Sequence, residues 1–155
     1  MNQYMTIWGS IRKFLESIGT YIPNLGLRLF LAYEFWLAGV QKYNGTNWFF
    51  EIKSDFPFPF NMIPTEISWQ LSTWFELLGA IGLVLGLATR FFSISLVVLT
   101  IVAWSAVHAD HGFNVCDNGY KLPLMYLIMF VPLVFNGAGK LSLDHVLWNR
   151  ISKSK

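Results

Sequence analysis

Charge is what this sequence has least of. Only 13% of its 155 residues are Asp, Glu, Lys or Arg, against about 25% in a typical soluble domain. The net charge of +2, with no basic run outside the termini, gives no footing for nucleic acid as a partner. Cys116 is the single cysteine. That excludes an internal disulfide and any Cys-x-x-Cys thiol relay, and leaves only a mixed disulfide with a partner. The N-terminus lacks a compact apolar core followed by a small-residue cleavage site, so it does not read as a removable signal.

In place of charge stand apolar residues, 54% of the chain at a mean hydropathy of +0.46. They gather into four stretches near 24–43, 66–88, 91–109 and 122–138, each close to the ~20 residues of a helical membrane crossing. The expected fold is all-α: an integral membrane four-helix bundle, one domain over residues 1–155, with interfacial helices at both termini. Tyr4, Ile7, Trp8, Ile11, Phe14, Leu15 and Ile18 recur at helical spacing with Arg12, Lys13 and Glu16 opposite, which predicts an amphipathic helix on the membrane surface. Pro23 opens the first span. Ser142 is placed to cap a terminal helix carrying Leu143, Val146, Leu147 and Trp148.

The connections differ in kind. Residues 44–65 are aromatic, with Trp48, Phe49, Phe50 and the run Phe56-Pro57-Phe58-Pro59-Phe60, which cannot continue a helix and suits the headgroup region. Thr89-Arg90 is the second loop. The third holds Asp110, His111, Asn114, Cys116, Asp117 and Asn118, with Tyr120 and Lys121 leading into the fourth span. One side of the membrane would carry Arg12, Lys13, Arg90, Lys140, Arg150, Lys153 and Lys155, the other Lys42, Lys53 and Lys121. This asymmetry predicts a bacterial inner-membrane protein with both termini in the cytoplasm.

Glu34 and Glu76 are the anomaly. Each falls inside an apolar stretch, about nine to ten residues from the outer end of its helix, or ~13–15 Å deep at 1.5 Å per residue. A carboxylate at that depth costs roughly 2.5–3.5 kcal/mol on insertion scales and marks a functional site by default. Two carboxyls in one layer could share a proton, which suits proton relay, quinone protonation or cation coordination; alternatively each neutralises a buried base, and Arg28 and Lys42 lie on the same span as Glu34. Gln41 lies near the Glu34 face, and Trp69 and Thr73 stand above Glu76. Trp104, His108 and His111 follow an i, i+4, i+7 pattern at the outer end of the third span. His108 and His111 with Cys116 have the chemistry of a Cu or Zn site, to which Met125 and Met129 could add thioethers, although a solvated interfacial His and packed Met residues read equally well. Gly79, Gly82 and Gly86 permit close helix approach.

Three blocks of residues resemble the DoxX family: Arg28-Leu29 with Phe35 and Gly39-Val-Gln-Lys42; Glu76-Leu-Leu-Gly79 with Gly82, Gly86 and Ala88-Thr-Arg90; and Gly137-Ala-Gly139-Lys140-Leu-Ser142-Leu-Asp144. More narrowly, Trp104, His108-Ala-Asp110, Asn118-Gly-Tyr120-Lys121 and Pro123-Leu-Met125-Tyr126 are similar to its HvfX-like branch, which is associated with copper-binding modified peptides. The resemblance implies a four-span inner-membrane protein. It implies an accessory to periplasmic copper or modified-peptide handling, with a small peptide or periplasmic protein as partner. The alternative is a quinone-interacting subunit of a membrane oxidoreductase, in which Glu34 and Glu76 handle protons, Trp69, Trp104, Tyr120 and Lys121 hold the cofactor, and a partner supplies electrons. A homo-oligomer is compatible with either.

Overall fold

The computed structural model describes residues 2–153, with side chains described from residue 7 onward. Among the described residues the secondary structure is helical throughout, in the order α1 (Asn2–Gly19), α2 (Ile22–Asn44), α3 (Thr65–Leu85), α4 (Thr89–Ala103), α5 (Lys121–Asn136) and α6 (Leu143–Lys153). Without a break, α4 runs into a π-helical turn, Trp104–His108, and a 3-10 turn, Ala109–His111. The result is a 23-residue apolar rod, Thr89–His111, with a mean hydropathy of 2.0. Among the described residues it is the one helix long and apolar enough by itself to cross a membrane, and α5 is a shorter apolar helix. α2 and α3 are interrupted by Arg28, Glu34 and Lys42, and by Glu66 and Glu76.

α2 packs on α3, α3 on α4, α4 on α5, and α5 returns to α2. Leu31, Ala32 and Phe35 of α2 meet Ala80 and Leu83 of α3, Leu96 of α4, and Phe130 and Leu133 of α5 in the shared core. Small residues set the spacing: a Cβ at Gly82 would collide with the Phe92 ring. The interior is also unusually polar, burying Arg28, Ser72, Thr73, Glu76, Thr89, Ser93 and Thr100. Large apolar side chains instead cover the outside, including Phe30, Trp36, Trp74, Leu78, Phe91, Ile94, Ile128 and Phe135. A contiguous apolar exterior of this kind has no place in water and marks a membrane or partner surface.

α1 keeps Ile7, Trp8, Ile11, Phe14 and Leu15 exposed; the Tyr4 side chain expected on the same stripe lies outside the described residues. α6 begins as its sequence predicts, with the Ser142 hydroxyl accepting from the His145 amide at 3.2 Å, the N-cap bond that satisfies an orphan donor of the first turn.

Candidate functional site

α2 ends at Asn44, and the connection 45–64 that follows packs Phe49 and Phe56 against Trp69 of α3. Proline at 57 and 59 denies the segment a helix, so it forms two short 3-10 turns, Lys53–Asp55 and Phe60–Met62. Aromatic packing holds it down. The Phe49 ring meets Trp69 of α3 at 5.0 Å and Phe56 at 5.3 Å, both nearly edge to face, and all three are buried. Beneath this roof is a cavity of about 430 Å³. Ser68, Ser72 and Glu76, four residues apart on α3, share one wall as helical spacing requires. Leu99, Val102, Ala103 and Ala106 form the opposite wall, and Trp48, Phe49, Ile52, Phe56 and Phe60 the roof.

Besides Gln41, Ser72 and Asn118, three polar features interrupt this largely apolar lining. Lys42 reaches from the end of α2 along its own stem and donates to both Glu76 carboxylate oxygens at 2.8 Å. The pair is largely withdrawn from solvent, with side chains 17% and 9% exposed, so screening does little to weaken it. The Ser68 hydroxyl is buried with no hydrogen-bond partner, and a buried polar atom left so calls for an explanation. The third is His108, whose Nδ1 lies 2.6 Å from the Asn118 carbonyl oxygen. A carbonyl only accepts, so the proton sits on Nδ1 and, in the neutral ring, Nε2 is left with its lone pair. The π turn sets this position. Its extra residue breaks the regular spacing of Trp104, His108 and His111, and Ala106, Val107 and His108 all line the cavity. Single-turn π insertions of this sort recur at functional sites.

The family model described as DoxX matches residues 24–109. The chain belongs to the DoxX family. An uncharacterised protein of Haemophilus influenzae is 50% identical over 133 residues, covering 86% of this chain and 88% of that one. A second uncharacterised protein of the same organism is 29% identical over 130 residues, covering 80% and 90%. No solved structure matches the chain. Family membership makes this a membrane protein, in keeping with its apolar exterior.

The three DoxX-like sequence blocks meet mostly at the end of the molecule opposite the cavity. Arg28, 1% exposed, donates to the carbonyls of Leu83, Val84, Ala138 and Leu141 at 2.7–2.9 Å. One guanidinium thereby satisfies carbonyls at the end of α3 and in the turn between α5 and α6. Asp144 accepts from the Ala88 and Thr89 amides at 2.7 and 2.9 Å, capping α4. Gly86 closes the knot with φ of +63°, and a Cβ there would stand 2.5 Å from Ser142 Cβ. The sequence offers Arg28 as a base for a buried glutamate and places it and Asp144 in the DoxX-like blocks; in the structure Arg28 serves carbonyls instead, and Glu34 takes Tyr126. An arginine within an apolar stretch was the signal that the sequence carried.

The other expected site residues scatter. Glu34 and Glu76 do not share a proton or a partner: Glu76 takes Lys42 across the helix pair, and Glu34 accepts from the Tyr126 hydroxyl of α5 at 2.8 Å. Their side chains leave α2 and α3 toward different neighbours, which depth alone does not reveal. Trp69 supports the roof from behind, with its carbonyl accepting from Thr73 at 2.8 Å. Trp104 stacks on Tyr120 at 5.2 Å, Phe113 abuts Tyr120, and the Lys121 ammonium lies 5.7 Å from the Phe113 ring centre. This cluster pins the third loop and does not line the cavity. His111 and Cys116 are exposed, and among the described residues no three His, Cys, Asp or Glu side chains are grouped to hold a metal ion. Asn114 organises that loop instead, donating to Asp117 at 2.7 Å and accepting from the Cys116 amide.

Proposed function

We propose that the protein spans the inner membrane four times, as a single domain with both termini cytoplasmic, and binds the ring of a quinone in the aromatic cavity. The carrying observation is the cavity itself: a largely apolar space holding the unpartnered Ser68 hydroxyl, the Lys42–Glu76 pair and His108. A ring carrying opposed carbonyl oxygens suits such a space, apolar across its faces and hydrogen-bonding at its edges. Lys42 and Ser68 are donors for those oxygens, and the His108 Nε2 lone pair accepts a proton from the hydroxyl form. The bound quinone would supply the electron- and proton-accepting couple, and electrons would come from a partner protein. The orientation rests on the charge count, which sharpens once Lys42 is committed to Glu76 and leaves Lys53 and Lys121 on the outer side.

A second reading keeps the chain as an accessory to periplasmic copper or modified-peptide handling. It is favoured by the resemblance of residues 104–126 to the HvfX-like branch and by His111 and Cys116 standing exposed on one loop. Melting curves of purified protein separate the two. A ligand that binds only the native state stabilises it by about 2.7 kcal/mol at a hundredfold excess over its dissociation constant. A tailless benzoquinone is expected to raise the melting temperature, while Cu(I) and Zn(II) shift wild type and a His111→Ala/Cys116→Ala variant equally. A metal shift lost in the variant, with no response to quinone, would reverse the ranking.

A further inference from the structure

We propose that the ligand of this cavity carries a long apolar tail, which leaves sideways past Leu71 into the lipid. The inference rests on the quinone reading and names the class of quinone: lipid-soluble and entered from the bilayer, not water-soluble and entered from the periplasm.

Leu71 is the pivot. It lines the cavity and also a second depression of about 320 Å³ on the outer face of α3 and α4. Trp74, Phe75, Leu78, Phe91 and Phe92 line that depression. Leu71, Trp74 and Leu78 lie on one stripe of α3, and all three are about half exposed. From residue 70 to 78 the stripe runs ~12 Å along the helix axis. The ionisable Lys42, Glu76 and His108 and the unpartnered Ser68 hydroxyl all belong to the cavity, whereas Gln70 is the one polar residue along the second depression. Leu71 is thus the wall that the two depressions share, one holding the polar groups and the other opening on the apolar exterior.

Size sets the direction of the tail. The cavity lies toward the small end of ligand sites, enough for a ring and its substituents. A long chain attached to that ring must leave. The roof leads it toward water, where an apolar chain is least stable. The Leu71 side leads it along a ready-made apolar groove. Leu71 itself is an unbranched-at-β side chain with freedom to change rotamer on the nanosecond scale, so passage requires no movement of α3.

The test uses the full-length protein in lipid nanodiscs. The probe is a benzoquinone with a long alkyl chain bearing a diazirine near its end, and the competitor is the same benzoquinone without the chain. After irradiation, mass spectrometry is expected to find label on residues 70–78 and on Phe91 or Phe92, and excess competitor should remove it. Filling the groove with Gln70→Trp/Leu78→Trp should weaken the tailed quinone by about tenfold or more and leave the tailless affinity unchanged. Neither position lines the cavity. Label on the aromatic connection 48–60 would overturn the lateral exit. Label at the groove that the competitor does not displace would show lipid-like adsorption only, and would overturn it too. Failure of the tailless quinone to bind wild type at all would sink the cavity reading itself, and direct titration reads that outcome separately. Should the double variant fail to fold, the wild-type labelling pattern decides alone.

Discussion

The Lys42 ammonium meets both Glu76 oxygens inside the membrane-facing part of the molecule, and each charge there depends on the other. Removing one member of such a buried pair typically costs about 3–5 kcal/mol because the survivor is stranded. Glu76→Gln is therefore expected to melt early or express poorly despite its conserved shape, and the double variant Lys42→Met/Glu76→Gln should recover most of the loss. Thermal melts of the three proteins check this, and a stable Glu76→Gln alone would show the pair to be dispensable. Both charges were legible in the sequence as ionisable residues within apolar stretches. Their pairing was not, because it depends on the register between α2 and α3. Arg28 shows the same gap. Its charge was visible near the start of a span, but its four carbonyl acceptors come from residues 83 to 141 in sequence, which no local pattern connects. Arg, with five donors in a rigid planar fork, suits four carbonyls arranged around one group.

At the level of elements, apolar periodicity located the helices within a few residues. The expected spans 24–43, 66–88, 91–109 and 122–138 compare with Ile22–Asn44, Thr65–Leu85, Thr89–His111 and Lys121–Asn136. The prolines of the 45–64 connection correctly forbade a helix; of the glycines read as permitting close helix approach, Gly79 and Gly82 lie against Leu96 and Phe92 of α4, whereas Gly86 ends α3 with a positive φ. What composition could not reveal was the π turn, since one extra residue in a turn leaves an apolar stretch apolar. That turn places His108 at the cavity and breaks the i, i+4, i+7 face read from the sequence. Deleting the exposed Ser105 should restore regular α-helix and rotate His108 by about 100° away from the cavity. The deletion is expected to keep the helical content seen by circular dichroism while weakening quinone affinity about tenfold, the scale of one lost hydrogen bond. Unchanged affinity would mean that His108 takes no part in binding.

For the whole molecule, orientation and the occupied cavity are the claims that matter. Cys116 is exposed in the third loop, so a membrane-impermeant maleimide should label it in intact spheroplasts, whereas labelling only after lysis would invert the topology. The proposed topology rests on the uneven distribution of Lys and Arg in the sequence. The sequence did not indicate the cavity, which lies beneath the aromatic segment that follows α2. The central claim is that this space holds a quinone ring, and a titration tests it most directly. Tailless benzoquinone added to nanodisc-embedded protein should give saturable, one-to-one binding by calorimetry. Ala103→Phe, which fills the cavity wall beside Leu99 and Ala106, should abolish it without lowering the melting temperature by more than a few degrees. Equal binding by wild type and a folded Ala103→Phe variant, or no saturable binding by wild type, would contradict the account.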